Sequence, residues 1–300
     1  CHAVAAAAAG PERQHDPVAR PYPVDRFTHR FDDPGALKAG QGFGALFLVP
    51  GVGETLRANG RVRAVTGETV EIAIEECFIH CAKALIRSDF WAGGEPAAPD
   101  RAEAFLNASR FLALATMDAA GRIDVSPKGD PSGMLLQAEG TRVVLAERPG
   151  NRLAFGYHNM IERPAVAAVA LIPGSNTMAT LTGQARLTAD EDMRARFVVN
   201  GKTPILATVI DGLEVRLQPS AALERSKAWA RPSNPTNIDP AATFVSHLKL
   251  SKAQGAAATM TKPATRKIRA MPRAVPRPSN GANASAPDVE RAQGMIQNSA

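Results

Sequence analysis

A chain of 300 residues, 45% hydrophobic and 21% charged, is long enough for one large domain or two ordinary ones, since single cores stop growing near ~250 residues. Three cysteines exclude a disulfide scaffold and fit a reducing, cytoplasmic setting, and no apolar run nears the ~18 residues of a membrane-crossing helix. The formal charge of +6 is carried by the end of the chain: residues 249–291 hold nine basic against two acidic side chains, which leaves the rest close to neutral.

Residues 1–40 combine an alanine run with Pro, Arg, His and Asp without helical or strand period, and read as an irregular N-terminal segment. An internal repeat then begins. Phe47-Leu48-Val49-Pro50-Gly51 returns as Ala170-Leu171-Ile172-Pro173-Gly174, and Asn59-Gly60-Arg61-Val62-Arg63 as Thr182-Gly183-Gln184-Ala185-Arg186, both 123 positions on. Arg87-Ser88-Asp89-Phe90-Trp91 returns as Arg225-Ser226-Lys227-Ala228-Trp229 after 138 positions. The extra residues fall at 189–203, where Ala189 to Arg194 reads as an inserted helix.

The second copy has a longer front end. Phe111–Thr116 is a compact apolar strand, Asp118-Ala119-Ala120-Gly121 is turn chemistry, and Arg122–Ser126 alternates as the returning strand. Further strands are expected at Thr141–Ala146, Ala165–Ile172, Thr177–Leu187, Ile205–Ile210 and Leu213–Leu217, with helices at Asn151–Arg163 and up to Trp229. This is a mainly β chain with a few helices, in the element order of a small antiparallel barrel. The first copy supplies only the later strands and the closing helix. The expected division is 1–40 irregular, 41–95 a partial repeat, 101–232 a complete barrel and 240–300 a basic tail whose composition cannot build a core. Weak contact of that tail with RNA or anionic surfaces is conceivable on charge alone, but no aromatic residue interleaves the cations for base stacking.

Two segments have anion-binding chemistry. Ser126-Pro127-Lys128-Gly129-Asp130-Pro131 brings a lysine and exposed backbone N–H groups to the end of a strand, and Arg148-Pro149-Gly150-Asn151-Arg152 opens a helix with guanidinium groups. A plain Pro-Gly loop and a bare helix start are the competing readings. Cys77, His80 and Cys81 lack the Cys-x-x-Cys spacing of a zinc knuckle and read as packed side chains, so no metal is expected. His158 reads as a structural hydrogen-bonder. Hydrolase and nucleoside-triphosphatase motifs are missing, and no catalytic residue stands out.

The run from Phe111 through Ser126-Pro127-Lys128-Gly129-Asp130, with Arg148 to Arg152 and Leu171-Ile172-Pro173-Gly174, resembles the pyridoxamine 5'-phosphate oxidase-like FMN-binding split-barrel family. Phe47 to Arg61 and Glu76 to Leu85 of the first copy resemble it as well. The resemblance implies an antiparallel split β-barrel that binds FMN noncovalently between two barrels, either in a homodimer or in an intramolecular pseudo-dimer. Ser126, Lys128 and Gly129 would lie against the flavin and its phosphate, with Arg148, Asn151 and Arg152 as phosphate partners. Lys83, Arg87, Ser88 and Trp91 would lie in the closing segment that reaches the neighbouring barrel's flavin. The implied activity is that of a flavin-dependent oxidoreductase on a small molecule. A flavin-binding or other cofactor-binding module without turnover, and a degenerate scaffold, are the alternatives.

Overall fold

The computed structural model describes residues 4–6, 26–30, 37–48, 55–67, 69–92, 97–150, 154–226 and 228–229. The basic tail, Asn151 and Arg152 lie outside them.

Two sheets, antiparallel except where β1 joins the first, frame the described residues, and the chain is mainly β and of the split-barrel class. The first contains β1 (Val4–Ala6), β2 (Arg26–Arg30), β3 (Gly42–Leu48), β4 (Thr55–Thr66) and β5 (Thr69–His80) in the order β1-β3-β4-β5-β2, and is followed by the short helix α1 (Lys83–Arg87). β1 and β2 come from the stretch expected to be irregular; β1 runs parallel to β3, while β2 pairs antiparallel with β5.

α2 (Ala102–Ala108) leads into the second sheet, which holds β6 (Phe111–Met117), β7 (Ile123–Gly129), β8 (Leu136–Glu139), β9 (Arg142–Glu147), β10 (Ala165–Leu171), β11 (Thr177–Thr188) and β12 (Leu206–Pro219). Their order is β7-β6-β10-β11-β12-β9-β8. α3 (Phe155–Glu162), α4 (Glu191–Ala195) and α5 (Ala221–Arg225) complete the chain. α4 is the inserted helix, capped by the Asp190 carboxylate accepting from the Met193 N–H.

The apolar runs explain the packing. In β6, Leu112 and Leu114 face a core shared with Leu136, Leu145, Val166, Leu181 and Ile210, so every strand but β7 sends one side into it and the sheet wraps around it. The alternate residues Phe111, Ala113 and Ala115 are just as buried, because they meet Leu46, Leu48, Ala84, Leu85 and Phe90 of the first sheet and α1. A strand covered on both faces loses its polar alternation, which is why Phe111–Thr116 reads as a continuous apolar run.

Two expected strands, Ile205–Ile210 and Leu213–Leu217, are one. β12 runs unbroken from Leu206 to Pro219 because the turn-like Asp211-Gly212 is absorbed as an irregularity: Gly212 takes φ 63° and the partner strand shifts register between Thr182 and Gln184. β7 also extends past its expected end at Ser126, through Pro127 and Lys128 to Gly129. Pro127 is tolerated there because β7 is an edge strand.

Candidate functional site

A cleft of about 380 Å³ lies where the first sheet and α1 meet β7, β9 and α3, within the ~300–1,000 Å³ range of small-molecule sites. Ser126, Lys128 and Gly129 line it from β7, Arg148 from the end of β9, and Lys83 and Arg87 from α1. The two anion-binding segments and the closing segment of the first copy therefore converge. Ser88 and Trp91 stand away from it. The Ser88 hydroxyl is buried and donates to the Ala84 and Leu85 carbonyls, and Trp91 packs edge-on against Phe90 at 4.7 Å.

Electrostatics divide the cleft. Lys128 Nζ donates to Glu147 Oε2 at 2.6 Å, and the same fully buried carboxylate accepts from Tyr157 OH at 3.0 Å and from Thr208 Oγ1 at 2.7 Å. Burial, reinforced by the Glu147 charge, pushes the Tyr157 phenol well above its ordinary range, so it stays protonated and donating. Arg148 is paired with Asp130, whose carboxyl burial pushes up against the downward pull of that guanidinium. Lys83 and Arg87 have only neutral partners: Lys83 Nζ donates to Gly150 O at 3.4 Å and Arg87 Nη2 to Pro149 O at 2.9 Å. Among the described residues neither pairs with a carboxylate.

The inner wall holds a buried polar relay that sequence reasoning missed. Arg57, from β4, is 1% exposed and forms an ion pair with Asp124 of β7. Its Nη1 lies 3.4 Å from His80 Nδ1, and its guanidinium sits 4.8 Å from the Phe78 ring centroid. A guanidinium only donates, so Nδ1 accepts and the proton of the neutral imidazole is on Nε2. Burial, then the Arg57 and Lys128 charges, lower the His80 pKa to about 3; burial also lowers that of Arg57 to about 10, against the opposing pull of Glu76. His80 had read as a packed side chain; it does pack, and it also lines the cleft. Cys77 and Cys81 are free thiols.

Arg57 and Asp124 are 67 positions apart and in different repeats, so no local spacing marks them. Glu147 had a signal, an acidic residue closing the apolar strand Val143–Ala146 just before Arg148-Pro149-Gly150. Its partner Tyr157 had none.

Residues 98–233 match the sequence model of the pyridoxamine 5'-phosphate oxidase family. The match covers this part of the chain, just under half of its length. Solved structures similar to it include HupZ from Group A Streptococcus (13% identity, 41% of this chain and 96% of that one, TM-score 0.33). An F420 reductase (15% identity, 40% and 98%, TM-score 0.30) and HutZ, a heme storage protein of Vibrio cholerae (13% identity, 37% and 86%, TM-score 0.26), are similar to a like extent. At such scores none of them bears on what this segment binds. The comparison with curated proteins gives no match. No helix among the described residues is long and apolar enough to cross a membrane.

Proposed function

We propose that the cleft binds FMN noncovalently and that the chain is a flavin-dependent oxidoreductase acting on a small molecule. The observation that carries this reading is the charge pattern. Arg57, Lys128 and Arg148 are neutralised by Asp124, Glu147 and Asp130, which leaves Lys83 and Arg87, beside Gly150 and Pro149 in the cleft lining, as the cations that pair with no carboxylate among the described residues. An anion there gains charge-assisted hydrogen bonds and displaces no carboxylate. The walls beyond it are largely apolar, with Ala84, Leu135, Ala146, Ala154, Ile205 and the Tyr157 ring, as a flat hydrophobic ring system requires. A ligand with a phosphate at one end and a planar ring at the other fits both features.

Lys83 and Arg87 would hold the phosphate, with Arg148 and Lys128 kept in place by their own carboxylates. Ser126 and Gly129 on β7 would lie along the ring. When bound, FMN supplies the redox chemistry by hydride or electron transfer at its ring. The chain supplies position and a fixed polar wall, in which Tyr157 and Arg57 stay protonated across the neutral range and Asp124 pairs with Arg57.

Titration with FMN and with riboflavin, which lacks the phosphate, tests this. A hydrogen bond to a charged group contributes roughly 1.5–3 kcal/mol, so Arg87→Ala should weaken FMN about ten- to a hundredfold and leave riboflavin nearly unchanged. Equal weakening of both, or of neither, refutes the assignment.

A further inference from the structure

The two repeats fold alike. β3, β4, β5 and α1 follow one another as β10, β11, β12 and α5 do, and each trio pairs in the same antiparallel order. One flanking strand agrees as well, since β2 lies antiparallel on β5 where β9 lies antiparallel on β12; the other differs in direction, β1 lying parallel on β3 where β6 lies antiparallel on β10. Two barrel-like units of one chain therefore stand where a pair of protomers would.

Their interface is built for permanent contact. Leu46, Leu48, Leu85 and Phe90 of the first unit share one core with Phe111, Val125, Val169 and Leu171 of the second. Phe90 lies 4.7 Å from Trp91 and 5.1 Å from Trp229, the tryptophans at equivalent places in the two repeats. A Cβ on Gly44 would overlap the Val125 side chain, and one on Gly129 the Ala84 carbonyl, so both backbones approach as closely as a side chain of any size forbids. The Arg57–Asp124 pair is buried across the same boundary, where an unmatched partner would leave a bare charge.

The equivalence ends at the charges. Lys83 of α1 is answered by Ala221 of α5. Arg148-Pro149-Gly150 after β9 is answered in the sequence by Asp33-Pro34-Gly35 after β2, an acidic residue in place of the guanidinium. At the sister position Lys83 and Arg148 are answered by a neutral and an acidic residue while Arg87 keeps its counterpart Arg225, so the charge available to a phosphate is reduced there.

We propose that the first repeat completes the second repeat's cleft within the same chain, so that each monomer binds one phosphate-bearing cofactor and needs no second copy to do so. The ligand in this statement rests on the flavin reading; the completion in cis does not.

The test combines complementation with concentration dependence. Arg87→Glu removes the first repeat's contribution and Arg148→Gln the second's. If sites form in cis, a mixture of the two variants, unfolded and refolded together, binds no more FMN than each alone. If they form between chains, about a quarter of the wild-type sites return, the share expected from random pairing in a two-fold dimer. Wild type should bind one FMN per chain with an affinity unchanged over a roughly hundredfold range of chain concentration. Recovery of sites on mixing, two flavins per chain, or affinity that rises with concentration overturns the proposal. If wild type binds no FMN, the cofactor reading falls, and the thermal midpoint without ligand decides cis completion: a midpoint independent of chain concentration supports it, and one that climbs with concentration overturns it.

Discussion

Replacement of His80 by glutamine isolates the electrostatics of the inner wall, because the Gln carbonyl can accept from Arg57 as Nδ1 does but does not titrate. The folded state holds the His80 pKa at about 3, against 6.5 for the free side chain. Between those values the unfolded chain takes up a proton that the folded one refuses. The stability contributed by keeping His80 neutral is therefore complete above pH 6.5 and is lost as the pH falls from 6.5 toward 3. One pKa unit corresponds to about 1.4 kcal/mol, and allowing for half-protonation of the unfolded histidine at the upper limit, the interval from pH 6.5 to 4.5 carries about 2 kcal/mol. Urea unfolding of wild type and His80→Gln at both pH values measures it. Wild type should lose about 2 kcal/mol more than the variant over the interval. Equal losses would show that His80 is solvated or already charged in the folded state, and the relay through Arg57 would have to be abandoned.

Asp124→Ala leaves the Arg57 charge buried without its partner, and denaturant unfolding should show a loss of about 3–5 kcal/mol. The double variant Arg57→Met with Asp124→Leu, which removes both charges, should recover most of that loss; no recovery would mean the pair is not what the single change disturbs. Gly129→Ala places a methyl group on the Ala84 carbonyl, and overpacking of this kind costs roughly 1–3 kcal/mol; calorimetry should show a lower midpoint, and FMN titration a weaker affinity as α1 is displaced. Tyr157→Phe withdraws one of the three donors to Glu147 and should cost about 1–3 kcal/mol, whereas an unchanged unfolding curve would show that Glu147 is satisfied without it.

The barrel was legible in the sequence where periodicity is local. Phe111–Thr116, the Asp118–Gly121 turn and Thr177–Leu187 each carry their conformation in adjacent residues. Asp211-Gly212 misled because a turn dipeptide and a β-irregularity need the same left-handed glycine, and only the partner strand β11 distinguishes them. The cations of the cleft were legible for a different reason: Lys128 and Arg148 lie in segments rich in Gly and Pro, and Lys83 and Arg87 in the closing segment that the repeat and the family resemblance mark. Of their partners, Asp130 shares the segment of Lys128, while the roles of the others were not legible. Glu147 reads as the polar end of a strand and Arg57 as an ordinary alternating position, and each acquires its role only from a residue brought in by tertiary packing.

That division has a physical origin. A cation that is to meet a ligand must remain accessible, so it lies near loops and short helices, where glycine and proline mark the sequence. A carboxylate that fixes such a cation must be shielded to hold it firmly, and Glu147 is shielded on a strand whose pattern records burial and nothing more. Lys128 shows the consequence. Its side chain is 18% exposed while that of Glu147 is 1% exposed, so the ammonium is tethered from below and reaches the cleft with its charge already matched. In the proposed reading the attraction for an anion comes from α1, where Lys83 and Arg87 donate to the Gly150 and Pro149 carbonyls and pair with no carboxylate among the described residues. In that reading the second repeat contributes a cradle whose cations are already paired, and the first contributes the charge that would draw an anion.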